Sequence, residues 1–136
     1  MKTTLVIGAA ALCAAAAALP VGAQPPQQQQ PEPLHIYVHY TETSPKTFDT
    51  AVKVGLLLMQ QGFDIVDVRP VEAEMRRTTI RYFYPDLRDD AYRLKDRVEH
   101  LLQAQGVAHE PVRVQDFTRY KLKTPPNSCE LWFQTQ

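Results

Sequence analysis

Along most of the chain, segments whose apolar residues recur with the period of a strand alternate with segments that have the period of a helix. This order of segments restricts the fold to a few α+β plans. Leu34–Tyr40 alternates apolar and polar positions, which is the period-two pattern of a strand with one buried face. Phe63–Val68 and Thr78–Tyr84 are further runs rich in β-branched and aromatic residues, which favour strands. Two more strands are predicted at Val112–Phe117 and Glu130–Gln134.

Two stretches between these strands have the spacing of amphipathic helices. Ser44 is the expected N-cap of the first helix, Pro45 its first residue and Gly62 its stop. The second helix has Asp86 as its expected cap and ends before Gly106. Its apolar positions define one face: Leu87, Ala91, Leu94, Val98, Leu101 and Leu102.

The resulting order of elements is β-α-β-β-α-β with an extra C-terminal strand. This is the ferredoxin-like, or split β-α-β, plan, in which two helices cover one face of an antiparallel or mixed sheet. Val71–Arg77 is expected to join the second and third strands through a weak helical turn. We therefore predict an α+β sandwich in a single domain, residues 34–136, which is long enough to bury a core of its own.

Residues 1–23 have the pattern of a secretory signal peptide. Lys2 precedes an alanine-rich apolar run, Leu5–Leu19, and small residues then allow cleavage after Ala23. The pattern predicts a periplasmic or secreted protein with no stable membrane span after cleavage. The alternative is an uncleaved anchor, although the run is short for a span of ~20 residues.

Residues 24–33, rich in glutamine and proline, are predicted to form an extended linker, with a polyproline-like binding motif as the alternative. Leu12 directly before Cys13 does not fit a lipoprotein. If Cys13 leaves with the signal peptide, Cys129 remains alone and no internal disulfide can form. Cys129 is expected to be a small buried residue, with dimerisation through its thiol as a minor alternative.

Charge and motifs exclude several classes of function. The chain has 15 Lys+Arg and 15 Asp+Glu, so it lacks the basic footprint of a general nucleic-acid binder. It contains no G-x-S-x-G, P-loop or glycine-rich dinucleotide turn, and we predict neither an enzyme nor a cofactor. His35 and His39 would lie ~13 Å apart on a strand, too far to share a metal, so no metal site is expected.

Strand alternation also predicts which side chains point towards the helices: Ile36, Val38, Val66, Val68, Ile80 and Tyr82. The alternate positions would form a bare sheet face that carries aromatic rings, histidines and arginines together. Such a face suits stacking on sugar-like rings and pairing with carboxylates. Its members are His35, Tyr37, His39, Asp67, Arg69, Arg81, Phe83, Arg113 and, with the phase of the last strand assumed, Trp132.

Six of these residues form the candidate ligand-binding site: His35, Tyr37, His39, Arg81, Phe83 and Trp132. The alternative is structural. Loops or the C-terminal tail would then cover the face, or its aromatic side chains would serve only to pack across strands.

Several segments between Ile36 and Gln105 resemble the LytR C-terminal domain, a small module of bacterial envelope proteins. They are the strand Ile36–Tyr40, the helix end Leu58-Met59-Gln60-Gln61-Gly62-Phe63, the strand Ile65–Val68, the run Thr78–Tyr82 and the amphipathic helix that follows. The tail is similar to that of envelope-targeted proteobacterial relatives in Asp116-Phe117, Pro125-Pro126 and Glu130–Phe133. In place of the family's usual Asn-Gly-Ser/Thr-Gly-like turn, this chain has Thr41–Pro45, so no contact of that turn is carried over.

The resemblance implies an envelope location and a non-catalytic accessory or binding role. The plan also resembles that of the SPOR domain, which binds peptidoglycan glycan strands on its sheet, a likeness of fold alone. We therefore expect a module that binds cell-wall glycan or another envelope component through the open sheet face. This predicts that Tyr37, Phe83 and Trp132 are exposed in one groove.

The alternative function is that of a protein–protein interaction adaptor in an envelope complex. It would use the same face or an exposed sheet edge. This hypothesis predicts a flat apolar patch or an unpaired edge strand. The sequence makes no prediction of the oligomeric state.

Overall fold

The computed structural model describes residues 22, 26, 30–42, 45–73 and 75–134. The described elements are, in chain order, β1 (His35–Thr41), α1 (Pro45–Gln60), β2 (Asp64–Val71), β3 (Thr79–Tyr82), a 3-10 turn (Pro85–Leu87), α2 (Arg88–Ala104), β4 (Arg113–Asp116) and β5 (Ser128–Phe133). The predicted cleavage site after Ala23, Cys13 and half of the predicted linker (residues 24, 25 and 27–29) lie outside the described residues. Neither of the described helices is long and apolar enough to cross a membrane.

The strands form one mixed sheet with the last strand of the chain at its centre. The order of the described strands is β2-β1-β5-β3-β4. β1 is parallel to both β2 and β5, β3 is parallel to β4, and β3 and β5 are antiparallel. The predicted α+β class and the β-α-β-β-α-β order with an extra C-terminal strand are confirmed. The extra strand lies between the two β-α-β units and joins them.

Both helices cover the same face of this sheet and contact each other. α1 packs on β1 and β2, and α2 packs on β3 and β4. Every second residue of the central strands points into this layer and meets the apolar faces of the helices. The fully buried side chains of the core include Ile36, Val38, Leu58, Ile80, Leu94, Leu102, Leu131 and Phe133.

The predicted orientation of Val66 is wrong, because β2 contains an irregularity. Ile36 pairs with Ile65 and Tyr37 with Asp67, so Val66 is an extra residue without a counterpart on β1. Its side chain is 46% exposed, and Ile65 packs against the core instead. The other five residues predicted to face the helices pack in or against the core. The helical turn expected in the connection after β2 is absent from the described residues there.

Glycines with positive φ follow both described helices, as predicted, at Gly62 (φ 90°) and Gly106 (φ 67°). Pro45 is the first residue of α1, while its expected cap, Ser44, lies outside the described residues. The predicted cap of α2 is wrong. Asp86 lies inside the 3-10 turn, and α2 begins only after Leu87. Pro at the start of this segment fixes φ and favours the tight turn that precedes the helix.

Candidate ligand-binding face

The sheet surface opposite the helices, here called the open face, contains most of the predicted site residues. Its side chains alternate with the core residues of each strand. The register places Glu130 of β5 between Tyr37 of β1 and Arg81 of β3, and it places Trp132 opposite His39. On the edge strands, Asp67 lies opposite Tyr37 and Gln115 lies opposite Arg81. Tyr37, His39, Arg81 and Trp132 are thus brought together around Glu130.

Trp132 is the centre of this group. Its ring centroid lies 4.6 Å from that of His39, with a tilt of 37° between the rings. The guanidinium carbon of Arg81, from the neighbouring strand β3, lies 4.3 Å from the indole centroid. The indole Nε1 donates a 2.8 Å hydrogen bond to Glu130 Oε2. The ring is therefore fixed in orientation by one hydrogen bond and by its contacts with His39 and Arg81.

Arg81 lies between two aromatic rings, because Phe117 contributes a second face 4.9 Å from its guanidinium carbon. Its Nε donates a 3.2 Å hydrogen bond to Gln115 Oε1. Within the described ranges, neither terminal amino group of the guanidinium has a hydrogen bond. Burial lowers the pKa of Arg81, and the nearby charge of Glu130 offsets part of this effect. Arg81 is thus a fixed cation with two donors that can bind a carboxylate in the bidentate manner.

His39 contributes a neutral ring to the open face. Burial lowers the pKa of His39 below its usual value, and the side chain is only 11% exposed. Its Nε2 is 3.9 Å from Glu130 Oε1, too long for a hydrogen bond, and Nδ1 has no partner among the described residues. The ring therefore packs against Trp132 without a hydrogen bond to any residue that the structure describes.

His35 belongs to a different environment at the start of β1. Its Nδ1 lies 2.6 Å from Asp64 Oδ2, and its Nε2 lies 3.3 Å from Glu32 Oε1. The hydrogen bonds to these two carboxylates raise the pKa of His35. His35 is thus held by β2 and by the segment before β1, apart from the Trp132 group. In the described parts of the chain, no three His, Cys, Asp or Glu residues are placed to hold a metal ion.

Phe83 does not line an exposed groove as predicted, because its side chain is only 7% exposed. The segment after β4 covers it: the ring of Phe117 lies 5.9 Å away in an edge contact, and Tyr120 packs on Phe117 at 5.0 Å. Tyr37 and Trp132 are half-buried and remain accessible. The expectation of three exposed rings in one groove is therefore wrong at Phe83. The outermost ring at this end is that of Tyr120, which is 53% exposed.

Sequence reasoning did not select Glu130, Gln115 and Phe117, although each has a defined role in the Trp132–Arg81 group. Gln115 and Phe117 lie two residues apart in a predicted strand, so alternation alone could have placed them beside Arg113. The role of Glu130 depends on the position of β5 between β1 and β3. That position is a tertiary feature with no local signal in the sequence.

Cys129 lies on the helix side of β5 and is fully buried, as predicted. Burial, with smaller contributions from Asp90 and Glu130, raises the pKa of the Cys129 thiol to about 12. His39 points to the opposite side of the sheet, so the two cannot act as a Cys–His pair.

No protein-family model matches the chain, and no curated protein matches it. Among solved structures, the chain is similar to the solution structure of the C-terminal domain of RV0431, with a TM-score of 0.47 and 14% sequence identity. The similarity covers 97% of this chain and 95% of that one. It does not place the chain in a family.

Proposed function

We propose that this protein is a secreted or periplasmic, non-catalytic module of the cell envelope that binds cell-wall glycan through its open face. The observation that carries the proposal is the group formed by Trp132, Arg81 and Phe117. A sugar ring can stack on an accessible aromatic surface, while a carboxylate of the same polymer can take the two terminal amino groups of Arg81. The rings and the cation are held in place before any ligand arrives, which reduces the entropy lost on binding.

The proposed location rests on residues 1–23, whose sequence has the order of a signal peptide. The resemblance of the domain to the LytR C-terminal domain supports the same location. Mass spectrometry of the protein recovered from the envelope or the medium tests it. A mature N-terminus at Gln24 is the expected result, and a retained Met1 in the cytoplasm would contradict it.

The first experiment on function is sedimentation of the mature chain, from Gln24, with purified insoluble peptidoglycan. We expect wild type in the pellet. Arg81→Met keeps much of the apolar stem but removes the donors, and it should raise the dissociation constant about tenfold. The matched control is Arg97→Met on the exposed surface of α2, which should sediment like wild type.

Two outcomes would overturn the proposal: wild type left in the supernatant, or Arg81→Met that binds as well as wild type. Thermal unfolding of each variant establishes that the folded state is retained. Repeating the experiment with glycan strands stripped of their peptides separates binding to sugar from binding to the peptide stems.

The second candidate function is a protein–protein interaction adaptor. One observation favours it: Phe48, Leu56 and Met59 of α1 are 46%, 55% and 52% exposed on one helix. This apolar surface lies on the helix layer, away from the open face. The two functions therefore use different sides of the molecule and can be tested separately.

A further inference from the structure

We propose that two copies of this chain form a symmetric dimer in which the β2 strands pair antiparallel and the α1 helices pack side by side. The proposal goes beyond the binding function above and uses different residues. It rests on an apolar stripe, on the geometry of an edge strand and on the charges of that strand.

The α1 stripe consists of Phe48, Val52, Leu56 and Met59, at steps of four, four and three residues along one side of the helix. It lies next to Gly55, whose position faces β2, since a Cβ there would lie 3.9 Å from Ile65 Cγ2. Phe48, Val52 and Met59 lie within about 60° of Gly55 around the helix, so this part of the stripe points past β2, towards the outside of the sheet. Leu56 lies further round the helix, beside Gln105 and Val107. Three of the seven exposed large apolar side chains of the described residues belong to α1, Phe48, Leu56 and Met59, and a fourth, Val66, belongs to β2.

β2 is the edge of the sheet next to this stripe, and it pairs only with β1 among the described strands. α1 packs on both β1 and β2, so its axis lies above the space between them. If β2 pairs with β2 of a second copy, the two α1 axes lie two strand spacings apart, about 9.6 Å. Packed helices are separated by about 8–10 Å, so the stripes would meet at contact distance.

The charges of β2 select one register for this pairing. Asp67 and Arg69 point to the open face and form an ion pair within the chain, with Arg69 Nε 2.8 Å from Asp67 Oδ2. In an antiparallel pair centred on Val68, Asp67 lies opposite the partner's Arg69, and Arg69 lies opposite the partner's Asp67. A shift of two residues in either direction would place like charges opposite each other, which is unfavourable.

Pro70 is compatible with the same register. Proline has no N–H and is confined to edge strands or bulges. In the pair centred on Val68, Pro70 lies opposite the partner's Val66, which is the extra residue of the irregularity in β2. The missing donor therefore falls outside the central Asp67–Arg69 pairs, opposite the irregular residue of β2.

Sedimentation of the mature chain over a wide concentration range tests the dimer. We expect a monomer–dimer equilibrium for wild type. Asp67→Arg and Arg69→Asp should each raise the dissociation constant about tenfold, because each places two pairs of like charges across the axis. An equimolar mixture of the two variants should dimerise again, since each variant then faces opposite charges on its partner.

Met59→Lys should also weaken the dimer, whereas Leu122→Lys, at an equally exposed position away from the stripe, should leave it unchanged. A wild type that stays monomeric at all concentrations would overturn the proposal. So would charge variants that dimerise like wild type, or a mixture of them that fails to recover. The peptidoglycan experiment does not depend on these variants, so either proposal can fail without the other.

Discussion

Arg81 and Trp132 contact each other diagonally across two antiparallel strands. The register places Arg81 opposite Glu130, two residues before Trp132, yet its guanidinium carbon lies 4.3 Å from the indole centroid. A diagonal contact of this kind is available only to long or aromatic side chains. It links β3 to β5 on the open face and holds the cation over the ring that is proposed to bind ligand.

A double-mutant cycle measures this contact. With Arg81→Met and Trp132→Leu, we expect a coupling of about 1 kcal/mol in the free energy of unfolding, because the pair is partly buried. The matched pair is Arg88 and Tyr92 on the surface of α2, with a guanidinium-to-ring distance of 5.8 Å. Its coupling should be about 0.5 kcal/mol or less. Equal couplings in urea titrations of both cycles would contradict the expectation.

His35 should make the domain more stable below its ordinary pKa of 6.5 than above it. Its pKa is raised by hydrogen bonds to Asp64 and Glu32, so the native state binds the proton more tightly than the unfolded chain. The stabilisation is complete below pH 6.5 and is lost as the pH rises through the raised pKa. Urea titrations at a series of pH values should show that His35→Gln removes this decrease and that Asp64→Asn reduces it, because the hydrogen bond to Glu32 remains. A wild-type decrease that survives in both variants would disprove the assignment.

His39 should make the domain less stable as the pH falls below 6.5, which is the opposite of the effect of His35. Burial lowers its pKa, so the unfolded chain binds the proton more readily, and stability falls as the pH falls from 6.5 through the lowered pKa. His39→Phe keeps a ring against Trp132 and removes the titrating group. The free energy of unfolding of this variant, relative to that of wild type, should increase as the pH is lowered through this range. A difference in unfolding free energy that does not change with pH would contradict the prediction.

Two glycines near β2 should respond to alanine with opposite signs. Gly62 has φ 90°, where a side chain is strained although nothing lies within 4 Å of its Cβ position, so Gly62→Ala should cost about 1 kcal/mol. Gly55 lies inside α1, and its new Cβ would make an ordinary contact with Ile65 at 3.9 Å. Gly55→Ala should therefore stabilise the domain by about 0.5–1 kcal/mol. Thermal unfolding of both variants tests these two predictions. A shift of the melting temperature in the same direction for both variants would contradict them.

Cys129 should be inert to thiol reagents in the native protein. It is fully buried, and the pKa of its thiol is about 12, so little thiolate forms near neutral pH. We expect labelling by a disulfide reagent to follow unfolding in urea and to be negligible before it. Rapid labelling of the folded chain, or a disulfide-linked dimer under native conditions, would show that the thiol is accessible.

The helices and the core could be predicted because their signals are local. The apolar positions predicted for the second helix, from Leu87 to Leu102, follow helical spacing, and all six are buried as that spacing requires. Val66 was assigned to the wrong side because the extra residue in β2 interrupts the alternation, and nothing in the run of residues marks it. The helix cap predicted at Asp86 is wrong because a 3-10 turn, which contains Asp86, precedes α2.

The candidate site was only partly predictable because its contacts depend on which strands are neighbours. Alternation placed His39, Arg81 and Trp132 on one face, but their contacts arise from the pairing of β5 with β1 and β3. Phe83 was expected to be exposed, and only the path of the segment that carries Phe117 and Tyr120 shows that it is covered. Such a path is set by tertiary packing, which residue spacing does not specify.

The central position of β5 also has a consequence for how the chain is synthesised. Until Ser128–Phe133 has left the ribosome, β1 and β3 have no strand between them and the two halves of the sheet cannot join. Contacts between residues so distant in sequence form slowly, because the intervening chain loses conformational entropy before strand pairing stabilises the structure. The sheet therefore cannot be completed before the residues of β5 have been synthesised.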